Sequence, residues 1–193
     1  METIRLADEN DAEGMLAIYG PYIKNTSYTF ELEVPSIHSF AERINKYMIN
    51  WPWLVFETGN MIAGYAYAAG YRERTAYQWS VETSVYVHDD FHRRGIAIKL
   101  YTALLQILRL QGFRNVYAVI NLPNDKSVRF HESCGFTYFA TYENVGYKLG
   151  QWKNVGWWRL TINDYTNDPL VPVKFSELNK DILISIFDKA ETL

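Results

Sequence analysis

Arg93, Arg94 and Gly95 stand between a β-branched run and a helical repeat, and that placement carries chemistry of its own. Val85 and Val87 suit a pleated core surface, whereas Ile96, Leu100, Leu104, Ile107 and Leu108 recur at helical intervals. The chain therefore leaves a strand and enters a helix between Arg93 and Ile96. A helix N-terminus presents unpaired N–H donors and the positive end of the macrodipole, and both favour an anion. Gly95 lets the backbone approach such a ligand closely, and the two guanidinium groups add charge. A phosphate-bearing ligand is predicted at this turn. One glycine is too few for the dinucleotide fingerprint, and no Gly-Lys-Ser/Thr follows to make a P-loop. A plain solvated turn has the same local composition, so the motif needs support from the rest of the chain.

The elements that must position this turn are legible in outline. With 193 residues and 48% hydrophobic content the chain can bury one substantial core. A net charge of −3 excludes a general attraction to nucleic acid or an anionic membrane. The single cysteine, Cys134, forms no internal disulfide and fits a reducing, cytoplasmic setting as a small buried hydrophobe. No signal peptide or membrane span is visible, because Met1 runs straight into Ile4-Arg5-Leu6 and charged residues.

Residues 4–6 read as a first strand, and Asp8, Asn10 and Asp11 as caps of a helix that Pro21 should end or kink. Residues 21–33 are then irregular, with Tyr28 and Phe30 either anchoring the loop or lining a pocket. Pro35-Ser36 opens a second helix. Residues 53–58 and 61–68 form a hairpin turning at Gly59-Asn60, and 69–79 form a loop. Residues 80–87 are the strand feeding the arginine turn; its helix stops at Gly112, and 116–120 is an apolar strand completing a parallel crossover. Asn124 or Asp125 caps a further helix ending at Gly135. Residues 137–142 and 155–162 complete the sheet, 164–173 reads as a linker, and 175–190 as an amphipathic helix packed on the core or on a partner subunit.

Several ordered blocks point one way: Glu82-Thr83-Ser84-Val85-Tyr86-Val87, His-x-x-Gly-x-Ala at 92–97, and Leu122-Pro123-Asn124-Asp125-Lys126-Ser127-Val128. His131-Glu132 before Gly135-Phe136, and Gly150-x-Trp152-x-Asn154-Val155-Gly156, extend them. Residues 4–162 thereby resemble the GNAT superfamily of acyl-CoA-dependent N-acetyltransferases, and within it the phosphinothricin and methionine sulfoximine acetyltransferases. His92 stands where that family usually has Gln or Arg. The resemblance implies an α/β fold (α+β by some schemes), a mixed central sheet flanked by helices, over residues 1–165. Residues 166–193 add a linker and an extra C-terminal helix.

The same resemblance implies acetyl-CoA as co-substrate and no metal. Its pyrophosphate would rest on the main chain of Arg93, Arg94, Gly95, Ile96, Ala97 and Ile98, its pantetheine arm would pair with Val85, Tyr86 and Val87, and Asn124 would contact that arm. The reaction is direct acetyl transfer to the primary α-amine of a small amino-acid-like substrate. Glu82 resembles the general base, which needs a raised pKa or a relaying water, and a backbone N–H near Val85 the oxyanion donor. His131 occupies the position where many GNAT enzymes carry a proton-donating tyrosine, which leaves it two roles: proton donor to the leaving thiolate, or hydrogen-bonding group only. Arg72 and Arg74 suit the substrate's acidic groups, with backbone from Thr75, Ala76 and Tyr77 and apolar walls from Phe30 and Tyr77. Leu149 replaces a histidine that herbicide-detoxifying members tend to have, which leaves methionine sulfone, sulfoximine or another α-amino acid analogue as favoured acceptors. The rival readings are a polyamine or protein N-terminal acetyltransferase and a non-catalytic acetyl-CoA-binding module. A homodimer is expected from the resemblance alone.

Overall fold

The computed structural model describes residues 2–193. β1 (Glu2–Leu6) leads into a capping box in which the Asp8 side chain accepts from the Asn10 N–H and the Asp11 carboxylate from the Asp8 N–H. Asp11 also takes both ends of the Arg5 guanidinium, at 2.7 and 2.8 Å, which fixes strand against helix. α1 (Ala12–Asn25) does not end at Pro21 as the sequence predicts. Proline removes one backbone bond on an exposed face, while the residues beyond it are anchored: Ile23 is buried and the Tyr22 hydroxyl donates to the Val87 carbonyl at 3.0 Å. An irregular stretch then leads to α2 (Ile37–Tyr47), capped by the Ser36 side chain.

β2 (Trp53–Thr58) and β3 (Met61–Gly70) form the expected hairpin around Gly59, whose φ of 62° suits the turn. β4 (Ser80–Val87), α3 (Ile96–Gln111) and β5 (Asn115–Leu122) form the parallel crossover, and Gly112 closes α3 with a φ of 93°. α4 (Asp125–Ser133) follows, with Asn124 as its cap. β6 (Thr137–Lys148) and β7 (Gln151–Thr161) are longer than the two short strands read from the sequence. The intervening residues extend the hairpin and turn at Leu149 and Gly150, with φ values of 52° and 75°. A leucine in the left-handed region gives no turn signal in sequence, which is why this turn was hidden.

The strands make one mixed sheet in the order β1-β2-β3-β4-β5-β7-β6. α1 and α2 cover one face over Trp53, Val55 and Tyr65; α3 covers the other. The C-terminal helix begins later than predicted: a short 3-10 turn at Phe175–Glu177 precedes α5 (Lys180–Glu191), which starts where the Asn179 side chain accepts from the Asp181 N–H. α5 lies on its own chain, with Leu183, Ile186, Phe187 and Ala190 buried in the cluster that contains α3. Its Glu191 carboxylate accepts from the Thr3 hydroxyl and the Ile4 N–H, and so covers the free edge of β1.

One irregularity of the sheet matters most. β4 pairs with β5 only through Ser80↔Asn115, Val81↔Val116 and Glu82↔Tyr117. Beyond that rung both strands continue, β5 held by β7 as far as Leu122↔Asn154 and β4 held by β3 as far as Val87↔Gly64. The two strands therefore part after Glu82 and leave a V-shaped gap.

Candidate active site

The gap exposes a defined set of main-chain groups. The His88 N–H donates to the Ala63 carbonyl and the Tyr71 N–H to the Ser80 carbonyl. In an antiparallel ladder these pairs alternate, so residues 80, 82, 84, 86 and 88 pair with β3, while Thr83, Val85 and Val87 turn their N–H and C=O groups towards the gap. Tyr86 turns its main chain to β3 rather than to the gap, and its ring packs at 4.9–5.3 Å from those of Tyr19, Tyr22 and Tyr65. The Val87 carbonyl is also engaged, by the Tyr22 hydroxyl and by His92 Nε2 at 3.1 Å. The Thr83 C=O, the Val85 N–H and C=O and the Val87 N–H are what the strand edge offers a ligand.

At the open end of the V lies the arginine turn. Arg93 and Gly95 both have positive φ, 65° and 78°, and Gly95 is the N-cap of α3. The first intrahelical bond runs from the Lys99 N–H to the Gly95 carbonyl, so the N–H groups of Ile96, Ala97 and Ile98 point out of the helix end unpaired within it. A Cβ at Gly95 would meet nothing within 4 Å. The Arg94 guanidinium lies 4.9 Å over the Phe91 ring. Asn124 uses its Oδ1 to accept from the Ser127 N–H at 3.2 Å, which leaves its NH₂ as the half available to a ligand.

Glu82 sits at the apex, on the last paired rung. Burial pushes its carboxyl pKa up, and the Arg72 cation partly opposes that rise. The adjacent Tyr117 ring is stacked by Tyr71 at 4.5 Å and edged by Trp157 at 6.4 Å, an aromatic wall that sequence reading missed. Strand alternation, which puts Tyr117 beside its rung partner Glu82, was the available signal. Arg72, Arg74, Thr75 and Tyr77 line an open cleft of about 1150 Å³ together with Val171–Lys174 of the tail. Glu82 is not part of that lining, and Ala76 only follows the exposed 3-10 turn of its neighbours. Phe30 is elsewhere: its ring covers Gly146 of β6, where any Cβ would clash, and Lys148 Nζ donates to the Thr29 carbonyl at 2.7 Å to hold that loop.

His131 is buried in the last turn of α4, and both ring nitrogens are engaged. Nδ1 is 2.8 Å from the Ser127 carbonyl and Nε2 is 2.9 Å from the Tyr101 hydroxyl, which is in turn 2.8 Å from the Thr83 hydroxyl. A carbonyl only accepts, so Nδ1 carries the hydrogen and Nε2 accepts from Tyr101. Burial lowers the His131 pKa and keeps this ring neutral. Of the two roles open to His131, this arrangement shows the hydrogen-bonding one, with the ring's single N–H directed at the Ser127 carbonyl.

Residues 4–157 match the model of the acetyltransferase (GNAT) domain. The chain belongs to the GNAT acetyltransferase family. It is similar to the phosphinothricin N-acetyltransferase of Streptomyces viridochromogenes, 40% identical over 156 residues that cover 81% of this chain and 85% of that one. It is also 30% identical over 164 residues to the L-methionine sulfoximine/L-methionine sulfone acetyltransferase of Salmonella typhimurium, covering 84% and 96%. The crystal structure of a GNAT superfamily phosphinothricin acetyltransferase from Sinorhizobium meliloti in complex with acetyl-CoA superposes with a TM-score of 0.82 at 27% identity, over 90% of this chain and 98% of that one. This GNAT protein is an acetyl-CoA-dependent N-acetyltransferase, and acetyl-CoA is its co-substrate. The matched domain stops before α5. Among the described residues no helix is long and apolar enough to cross a membrane, and no three His, Cys, Asp or Glu side chains gather as a metal site.

Proposed function

We propose that this enzyme acetylates the primary α-amine of a small amino-acid-like substrate of the phosphinothricin, methionine sulfoximine or methionine sulfone type. The observation that carries the reading is Glu82, a half-buried carboxylate of raised basicity placed where the sheet splits. Glu82, directly or through water, takes the proton of the substrate ammonium, and the freed amine attacks the thioester carbon. The Val85 N–H facing the gap receives the developing oxyanion. The C–S bond breaks with its electron pair on sulfur, the new amide nitrogen gives its second proton to the departing thiolate or to water, and coenzyme A leaves as a sulfur group of modest basicity, near ~8.5 for a thiol.

The pyrophosphate rests on the main chain of Arg93–Ile98, where the positive-φ turn and helix N-terminus converge their N–H groups, and the Asn124 NH₂ holds the pantetheine arm. Arg72 and Arg74 bind the substrate's carboxylate and its phosphinate or sulfoximine oxygens. Leu149 stands exposed at the β6–β7 turn, and methionine sulfone or sulfoximine is the preferred acceptor over phosphinothricin. The enzyme acts in the cytoplasm as a homodimer, with a small amine as its other partner. A thiol-release assay with methionine sulfone, methionine sulfoximine, phosphinothricin, a polyamine and a short peptide tests this reading. Turnover confined to the amino-acid analogues supports it; turnover only with the polyamine or peptide, or none at all, overturns it.

A further inference from the structure

Three polar side chains from three different elements meet inside the main core cluster: Thr83 of β4, Tyr101 of α3 and His131 of α4. Thr83 is 5% exposed, Tyr101 0% and His131 6%. Burying polar groups here is costly unless each is satisfied, and the chain of bonds gives each of the three a partner. The Ser127 carbonyl fixes the hydrogen on His131 Nδ1; Nε2 then accepts from the Tyr101 hydroxyl, and the Tyr101 oxygen accepts from the Thr83 hydroxyl. The phenyl rings of Phe130 and Phe136 pack edge-on or tilted against Tyr101 at 5.1 and 6.1 Å and against His131 at 5.2 and 5.4 Å, so neither side chain has another place to go.

The position of this chain gives it a task. Thr83 is the first β4 residue past the last β4–β5 rung, so the main-chain ladder between these strands ends where the side-chain bonds begin. α4 follows directly on β5, and His131 therefore ties the β5 side of the gap, through Tyr101, to the β4 side. We propose that Thr83, Tyr101 and His131 form a brace that sets the width of the acetyl-CoA slot, with His131 and Tyr101 as positioning residues. The inference rests on the reading above, in which the gap between β4 and β5 receives acetyl-CoA. The brace replaces the missing ladder with bonds that hold two strands at a fixed separation while leaving the Val85 main chain open to the ligand. Proton donation to sulfur is not its work, since Tyr101 gives its hydrogen to His131 Nε2 and His131 gives its own to the Ser127 carbonyl, while the Thr83 hydroxyl lies between Tyr101 and the Tyr117 carbonyl, 3.5 Å away on β5.

Glutamine separates the two roles, because its carbonyl oxygen can accept from Tyr101 but it cannot act as an acid at neutral pH. His131→Gln, His131→Leu and Tyr101→Phe are compared with wild type by calorimetric titration of acetyl-CoA, steady-state kinetics and thermal melting. The brace predicts that His131→Gln keeps kcat within about threefold of wild type, with the same pH profile over pH ~7–9. It predicts that Tyr101→Phe and His131→Leu weaken acetyl-CoA binding at least ~tenfold, with KM for acetyl-CoA rising more than kcat falls. If His131→Leu does not fold, Tyr101→Phe decides alone. A loss of kcat by ~100-fold or more in His131→Gln at unchanged acetyl-CoA affinity overturns the proposal in favour of proton donation. Wild-type affinity in Tyr101→Phe overturns it too. Failure of the underlying reading looks different: wild-type protein itself would give no heat with acetyl-CoA, and both ideas would fall together.

Discussion

Glu82 and Tyr117 form the last rung between β4 and β5, and the carboxylate sits at the point where the sheet divides. General-base catalysis by such a group contributes typically ~10²–10⁴-fold. Glu82→Gln should therefore lower kcat at least ~100-fold while leaving acetyl-CoA affinity near wild type. It should not destabilise the fold. A carboxyl whose pKa is raised on folding holds its proton more tightly in the native state, so native stability declines as pH rises from the unfolded pKa through the folded one. The amide removes that loss, and the variant should melt at the same or a higher temperature at pH ~7. A variant with wild-type turnover at every pH would exclude Glu82 as the base.

Arg72 works against the burial that raises Glu82. Removing its charge lets the Glu82 pKa climb further, so the carboxylate form appears only at higher pH. Arg72→Gln should shift the acidic limb of the kcat/KM profile upward and raise KM for the amino-acid substrate, whereas Arg72→Lys should hold the limb near its wild-type place. An unmoved limb in Arg72→Gln would mean that the base lies elsewhere.

Gly95 opens α3 with a φ of 78°, and no atom lies within 4 Å of where a Cβ would stand. Alanine there meets no clash but must adopt the left-handed region, at about 1–2 kcal/mol. Its methyl also stands in the open space in front of the helix N-terminus. Gly95→Ala should lower the melting temperature slightly and weaken acetyl-CoA binding by more than that strain explains. Dephospho and desulfo analogues of the coenzyme should lose affinity in parallel, because all share the pyrophosphate. Unchanged affinity in a folded Gly95→Ala protein would remove the pyrophosphate from this turn.

What the sequence disclosed and what it hid follow from different physics. The arginine turn, the α3 periodicity and the Gly112 cap are local signals, and each element stands where those residues place it. The family blocks single out Glu82 and the Val85–Val87 strand, but only the register of β3 against β4 separates the main chain of Val85 and Val87 from that of Tyr86. Tyr101 was invisible as a polar residue because it falls on the buried stripe of an apolar helix, where an aromatic reads as packing. Its partners lie 18 and 30 residues away in sequence, a separation that no local pattern reports. Pro21 misled for the reverse reason: its local helix-breaking tendency was outweighed by tertiary anchors at Tyr22 and Ile23.

β6 is the outermost strand of the sheet, and the hairpin it makes with β7 carries exposed aromatics. Tyr138 is 55% exposed, Tyr147 57% and Trp152 63%, with the Tyr147 and Trp152 rings 5.4 Å apart. An open edge strand decorated with large apolar side chains is a liability for a monomer, and a second copy of the chain would cover it. Trp152→Glu places a charge that dimerisation would have to desolvate, and it lies away from the Glu82 rung and the arginine turn. The wild type should sediment as a dimer at micromolar concentration and Trp152→Glu as a monomer with acetyl-CoA affinity intact. A wild type that sediments as a monomer across that range would leave the β6 edge uncovered and remove the dimer from this account.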